Sequence, residues 1–134
     1  MVGLIGDKIF GFYIHLLLSM FMGHVIGDSV FQTSSVSLKK RESYWKSYGN
    51  YKRYFYIFYL LVHSFIWSST IHISLLIILG VKYFNKILIS YIVNILLHSI
   101  IDDMKANRKL FNLIVDQFLH SLQILLTFYF VVLF

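Results

Sequence analysis

Residues 23–32, GHVIGDSVFQ, place a histidine, an aspartate and a glutamine at intervals of four residues in an apolar run. His24, Asp28 and Gln32 therefore share one face of a helix. An aspartate that faces hydrocarbon costs about 2.5–3.5 kcal/mol, so this face is expected to be buried against polar side chains from other segments.

The composition is that of a membrane protein, with 58% hydrophobic, 19% aromatic and only 13% charged residues among 134. We predict one all-α domain over residues 1–134, because an open sheet leaves its backbone unsatisfied in lipid. The net charge of +6 does not indicate nucleic-acid binding, since the basic residues lie between apolar spans; membrane lipids are the expected partners. Without cysteine, metal ligands would be histidine, aspartate or amide oxygens.

Four apolar segments are each near or above the roughly 20 residues that cross a bilayer, and they predict transmembrane helices at 9–32, 54–79, 87–104 and 110–134. Nine of the twelve basic residues lie in the first and third connectors. The positive-inside rule then places both termini outside the cytoplasm. We therefore predict a multi-pass protein of the inner (cytoplasmic) membrane, with short connectors except for a longer basic and aromatic first one.

Polar residues of all four spans are predicted to meet at one depth. Three spans carry a His/Asp pair four residues apart, and the second carries a single histidine on the same side of the membrane. The candidate metal ligands are His24, His63, His98 and His120. Three aspartates would be divided between ligation and general-base catalysis: Asp28, Asp102 and Asp116.

This residue set predicts a divalent transition metal, zinc first, because imidazole suits such ions better than calcium. Four histidines and three aspartates exceed one tetrahedral site, so they could serve one ion plus a base and supporting groups, or two ions. Gln32 and Gln117 are candidate supporting donors. The competing interpretation is structural: Asp102 and Asp116 pair with Lys105, Arg108 or Lys109 near the helix ends, and the histidines are only hydrogen-bonded.

Two further patterns concern packing. Gly23 and Gly27 form a GxxxG pattern, which predicts close contact between the first and second spans. His72 lies nine residues from His63, on the opposite helix face, and is predicted to be uninvolved in the site.

The spacing of these polar residues resembles a family of small bacterial membrane proteins, the domain-of-unknown-function 3307 family. Its pattern is H-x3-D-x3-Q, a lone histidine, H-x3-D-x2-K and D-Q-x2-H, and this chain matches it over nearly its whole length, with His98-x3-Asp102-x2-Lys105 and Asp116-Gln117-x2-His120 in the last two spans. The resemblance implies a fold and a site without a known activity. It also implies that Gln32, Lys105 and Gln117 belong to the functional set. Lys105 would bind an anion, or alternatively anchor the helix at the membrane surface.

Three functions are compatible with these residues. The leading hypothesis is a metal-dependent hydrolase acting on a lipid or lipid-linked substrate from the cytoplasmic leaflet, with an aspartate as general base and Lys105 near the substrate. The alternatives are a small channel or transporter for protons or divalent metal, and a non-catalytic binding or assembly module. With so little extramembrane mass, a homo-oligomer or a membrane-protein partner is compatible with each.

Overall fold

The computed structural model describes the backbone of residues 2–134 and the side chains from residue 7 onward. Within that range the chain is all-helical. Six α-helices follow one another: α1 (Val2–Val25), α2 (Ser34–Lys39), α3 (Glu42–Lys46), α4 (Phe55–Leu79), α5 (Phe84–Ala106) and α6 (Leu113–Phe128). Single turns of π-helix extend α1 over Ile26–Val30 and α6 over Tyr129–Leu133, and 3₁₀ turns precede α4 and α5 at Asn50–Tyr54 and Val81–Tyr83.

Four segments are long and apolar enough to cross a membrane, which confirms the predicted fold class: Asp7–Val30, Asn50–Leu79, Val81–Ala106 and Leu113–Leu133. Their outward faces are apolar, as a multi-pass membrane protein requires; Ile77 and Ile114, for example, are 76% and 78% exposed. The last helix begins three residues later than predicted, because the Asn112 side chain accepts a hydrogen bond from the Val115 N–H and caps it there.

The interior is divided by depth. We call the end that carries the first and third connectors the basic end. Toward the opposite end the helices bury an apolar core that includes Leu16, Met20, Leu75 and Val131. Toward the basic end the buried residues are mainly polar. The bundle therefore encloses a polar chamber at the basic end, beneath the basic connectors, and the apolar core of the opposite end is interrupted by a smaller polar network around His72.

Contact between α1 and α4 depends on the two glycines of the first span, as their spacing predicted. A Cβ atom at Gly23 would lie 2.5 Å from the backbone oxygen of Thr70, and one at Gly27 would lie 3.0 Å from the Cα of Trp67. Any larger residue would push the helices apart. The close approach brings the polar face of α1 against α4 at the level of the chamber.

The first connector is folded onto the end of α5 rather than extended along the surface. The Asn107 side chain accepts a hydrogen bond from the Glu42 N–H and donates to the Lys40 carbonyl and to Asp103 Oδ1, at 2.8, 3.1 and 2.7 Å. Trp45 donates to the Lys39 carbonyl. These bonds hold α2 and α3 over the chamber and fix the position of the Lys40 backbone.

Candidate functional site

The structure brings together all four predicted histidines and all three predicted aspartates at the basic end of the bundle. Each of the four long helical segments contributes, and α1 does so partly through its π-helical turn, which carries Asp28. Single π-helical turns are frequent at functional sites. His63, His98, His120 and Asp116 are at most 1% exposed. The predicted convergence at one depth is confirmed.

Three of these side chains, Asp28, His63 and His98, each offer an atom within 4.8 Å of the other two, and Asp102 lies beside both histidines. His63 Nε2 lies 3.3 Å from Asp28 Oδ1 and 3.5 Å from Asp102 Oδ2. His98 Nε2 lies 3.9 Å from each of the same two oxygens. The ligands of a tetrahedral zinc ion, with bonds of about 2.0–2.1 Å, lie about 3.3–3.4 Å apart. Two of the four spacings match this value and the other two are slightly longer.

Three buried ring nitrogens have no hydrogen-bond partner in the described part of the chain: His63 Nε2 and both Nδ1 and Nε2 of His98. A buried polar group without a partner costs about 1–3 kcal/mol, so several in one place require a physical explanation. The donor set, two imidazoles and two carboxylates, is suited to a transition-metal ion.

His120 forms a second group beside the first. Its Nε2 lies 3.4 Å from Asp116 Oδ1 and 3.8 Å from Asp102 Oδ1, and neither of its ring nitrogens has a hydrogen-bond partner among the described residues. His98, Asp102 and His120 are also close enough to hold one ion together. Asp102 therefore presents one oxygen to each group and joins them.

Two lysines approach the same carboxylates. Lys40, from the end of α2, donates a hydrogen bond to Asp102 Oδ2, and Lys105 donates one to Asp116 Oδ2. The structural interpretation predicted that both aspartates pair with basic residues near the end of the third span. Asp116 does so with Lys105, whereas Asp102 pairs with Lys40 of the first connector instead. These ammonium groups supply positive charge to the buried carboxylates.

His24 is held differently from the other three histidines. The indole N–H of Trp67 donates to its Nδ1 at 2.8 Å, and its Nε2 lies 3.1 Å from Gln117 Oε1. Because an indole nitrogen can only donate, Nδ1 is the acceptor and the proton is on Nε2. Both nitrogens are thus occupied, and the sequence-based prediction that His24 is a metal ligand stays a prediction. Gln117 in turn donates to Asp116 Oδ2 at 3.1 Å.

Aromatic stacking closes the chamber from the apolar core. The Trp67 ring stacks on His98 with a centroid distance of 4.1 Å, and His98 stacks on His120 at 4.2 Å. Trp67 is fully buried. Stacking fixes the planes of the two imidazoles, and His98 Nε2 and His120 Nε2 lie 3.9 and 3.8 Å from Asp102 carboxylate oxygens.

A cavity of about 320 Å³ opens above Asp102 at the basic end. Gln32 lines this cavity and is partly buried, with no hydrogen bond from its side chain to another described residue. It therefore lies at the entrance rather than among the histidines. The remaining lining is dominated by basic side chains: Lys40, Arg41, Lys105 and Lys109.

Three residues that position the site were not predicted. Lys40 stands in a run of three basic residues, Trp67 is one helical turn after His63, and Asn107 lies two residues after Lys105. The position of Trp67 on the face of His63 is a signal that could have been found in the sequence. The choice of Lys40 over its neighbours Lys39 and Arg41 depends on the fold of the connector.

A separate buried network lies below the chamber, around His72. Its Nε2 is 3.0 Å from Ser90 Oγ, and Asn94 donates to Thr127 Oγ1 at 2.7 Å and accepts from Gln123 at the same distance. His72 is thus satisfied locally and lies outside the His/Asp groups, as predicted.

Comparison with known proteins identifies a family but no characterised relative. Neither the search of curated proteins nor the search of solved structures found a match. A family profile described as "Protein of unknown function (DUF3307)" matches residues 16–134, which includes all four long helical segments from Leu16 onward and every residue of the chamber. The chain therefore belongs to this family of unknown function.

Proposed function

We propose that the chamber binds a divalent transition-metal ion, zinc first, and that the protein is a membrane-embedded hydrolase of a lipid or lipid-linked substrate. The observation that carries the proposal is the set of four facing atoms, His63 Nε2, His98 Nε2, Asp28 Oδ1 and Asp102 Oδ2. They lie 3.3–3.9 Å apart along four edges, and the two nitrogens have no hydrogen-bond partner among the described residues.

The charge of the chamber favours one ion in the first group over a purely structural network. Asp102 and Asp116 each pair with a lysine, whereas among the described residues Asp28 has only histidines within ion-pairing distance. Asp28 is also the carboxylate nearest to His63. An ion held by Asp28, His63 and His98 would neutralise the chamber carboxylate that has no lysine among the described residues. Asp102 Oδ2, which lies near both histidines, is a candidate fourth ligand.

Hydrolysis is the chemistry that the neighbouring group supports. A bound zinc ion lowers the pKa of its water to about 7. Asp116 and His120, 3.4 Å apart and next to Asp102, are positioned to accept a proton at the edge of the ion site. The cavity above Asp102 gives a route from the basic end, where lipid headgroups would lie. A lipid or lipid-linked substrate could thus reach the site without crossing the bundle.

The metal site is tested by metal content. Protein purified in detergent is stripped with chelator, reloaded with zinc, and measured by elemental analysis. We expect about one equivalent in the wild-type protein and at least a tenfold weaker affinity in His98→Ala. The matched control is His15→Ala. In the wild type, His15 Nδ1 bonds to the Gly11 carbonyl far from the chamber, so this variant should bind zinc as the wild type does.

His24→Ala separates two roles for that residue. If His24 is a ligand, His24→Ala should weaken zinc affinity as much as His98→Ala does. Its two hydrogen bonds instead support an indirect role, for which a smaller loss, within about 10–100-fold, is expected. A wild-type protein that binds no zinc, or a His98→Ala variant that retains full affinity, would overturn the proposed site. Metal-dependent release of headgroups from a lipid extract then tests the hydrolase.

Transport is the second candidate, favoured by the buried network around His72 and Asn94. Asn94 is one helical turn from His98, so polar side chains continue below the chamber. Beyond His72 and Ser90, however, the next turns of α4 and α5 bury apolar side chains in the described part of the chain, Leu75 and Ile87 respectively. A closed apolar layer opposes ion passage. Ion flux across proteoliposomes without metal-dependent lipid turnover would favour transport over hydrolysis.

A further inference from the structure

The cavity at the basic end combines four cationic side chains around one opening. Lys40 and Arg41 come from the first connector, and Lys105 and Lys109 from the end of α5 and the turn after it. The two connectors are far apart in sequence and meet because Asn107 bonds to both the Lys40 carbonyl and the Glu42 N–H. The cluster is therefore built by the fold rather than by a local run of charge.

The four cations are only partly neutralised by protein carboxylates. Lys40 pairs with Asp102 and Lys105 pairs with Asp116. Among the described residues, Arg41 and Lys109 have no carboxylate within ion-pairing distance. Two positive charges thus remain at the rim of a concave site.

The chain holds Lys109 at this rim in an unusual backbone conformation. Lys109 has φ of 53°, the only positive φ at a non-glycine residue in the described chain. This left-handed turn reverses the chain between α5 and α6 and leaves Lys109 exposed on the cavity wall. The rim therefore presents both unpaired cations on the accessible side, while Lys40 is buried below them.

We propose that this cavity binds a phosphate group that carries net negative charge. Arg41 and Lys109 would hold the phosphate at the rim, and the uncharged amide of Gln32 would donate a further hydrogen bond. Asp102 at the base of the cavity is also a candidate metal ligand, so a phosphate bound here lies next to the proposed ion. The assignment of this phosphate to the substrate rests on the proposed function. The proposal that the cavity binds phosphate does not depend on it.

Two sources share this chemistry: free phosphate and the headgroup of an anionic lipid. The experiment uses full-length protein in phosphatidylcholine nanodiscs, treated with chelator so that metal binding plays no part. In one arm inorganic phosphate is titrated by calorimetry. In the other arm the nanodiscs also contain phosphatidic acid, and the lipid retained by the protein is measured by native mass spectrometry.

The test variant is Arg41→Gln with Lys109→Asn, which removes both unpaired charges; asparagine tolerates the left-handed conformation at position 109. Its matched control is Lys46→Gln with Lys52→Gln, which removes two charges from the same connector but none from the cavity. We expect saturable binding of at least one probe, weakened at least tenfold in the test variant and less than twofold in the control.

Each outcome decides the proposal. Retention of phosphatidic acid identifies a lipid headgroup, and binding of inorganic phosphate alone identifies a soluble ligand; both support it. The proposal is overturned if neither probe binds, or if the two double variants weaken binding equally, since that would indicate general attraction to a basic surface. Zinc binding measured on the same variants reports on the metal site separately, so failure of one hypothesis does not imply failure of the other.

Discussion

Lys40 and Asp102, 62 positions apart in the chain, form an ion pair in which each side chain is 6% exposed. The pair joins the first connector to the centre of the chamber. The Asp102 oxygen that accepts from Lys40 is also the one nearest to His63 and His98. Lys40 and a metal ion would therefore share one carboxylate oxygen, or compete for it.

Replacing Lys40 with methionine should destabilise the metal-free protein by about 3–5 kcal/mol, because it leaves a buried carboxylate without its cation. Zinc should recover part of this loss, since the ion would supply positive charge to the same oxygen. Thermal unfolding in detergent, with chelator and with zinc, measures both effects. Lys39→Met is the control, because Lys39 lies over the Tyr59 ring and has no carboxylate partner among the described residues. This variant should lose less stability, and zinc should stabilise it as much as it stabilises the wild type.

Replacing Gly23 with alanine should separate α1 from α4. The added Cβ would lie 2.5 Å from the Thr70 oxygen, a backbone atom that cannot move without shifting the helix, and we expect a loss of about 1–3 kcal/mol. Gly11→Ala is the matched control, because a Cβ there meets no atom within 4 Å and should be neutral or slightly stabilising. Unfolding by denaturing detergent compares the two. Equal stability of both variants would show that the helices do not pack as described.

Replacing Trp67 with phenylalanine should change the protonation of His24 while keeping an aromatic ring against His98. Without the indole N–H, His24 Nδ1 loses its donor, at a cost of about 1–3 kcal/mol, and the ring is no longer held with its proton on Nε2. Nitrogen NMR of histidine-labelled protein should show one Nε2–H form of His24 in the wild type and a mixture in the variant. Trp45→Phe serves as control, because Trp45 donates to the Lys39 carbonyl instead. An unchanged His24 signal in Trp67→Phe would contradict the assigned hydrogen bond.

Much of the site could be predicted because its signals are local in the sequence. Each His/Asp pair lies one helical turn apart, so a common face follows from helix geometry, as for His98 and Asp102. Hydropathy and the cost of burying an aspartate in lipid then place those faces inside a bundle. The contact of α1 with α4 was likewise predictable from Gly23 and Gly27, since two small residues on one face permit close approach.

An all-helical fold with four segments long and apolar enough to cross a membrane, and the meeting of their polar faces near one end, could thus be predicted from the sequence, because these features depend on neighbours within one or two helical turns. Which atoms face one another became known only from the folded structure. Helix rotation and side-chain rotamers place His63 and His98 near two aspartate oxygens. They also place both nitrogens of His24 in hydrogen bonds with Trp67 and Gln117. Of three consecutive basic residues, Lys40 is the one that bonds to Asp102. These choices depend on distances between segments far apart in the chain, which no local pattern encodes.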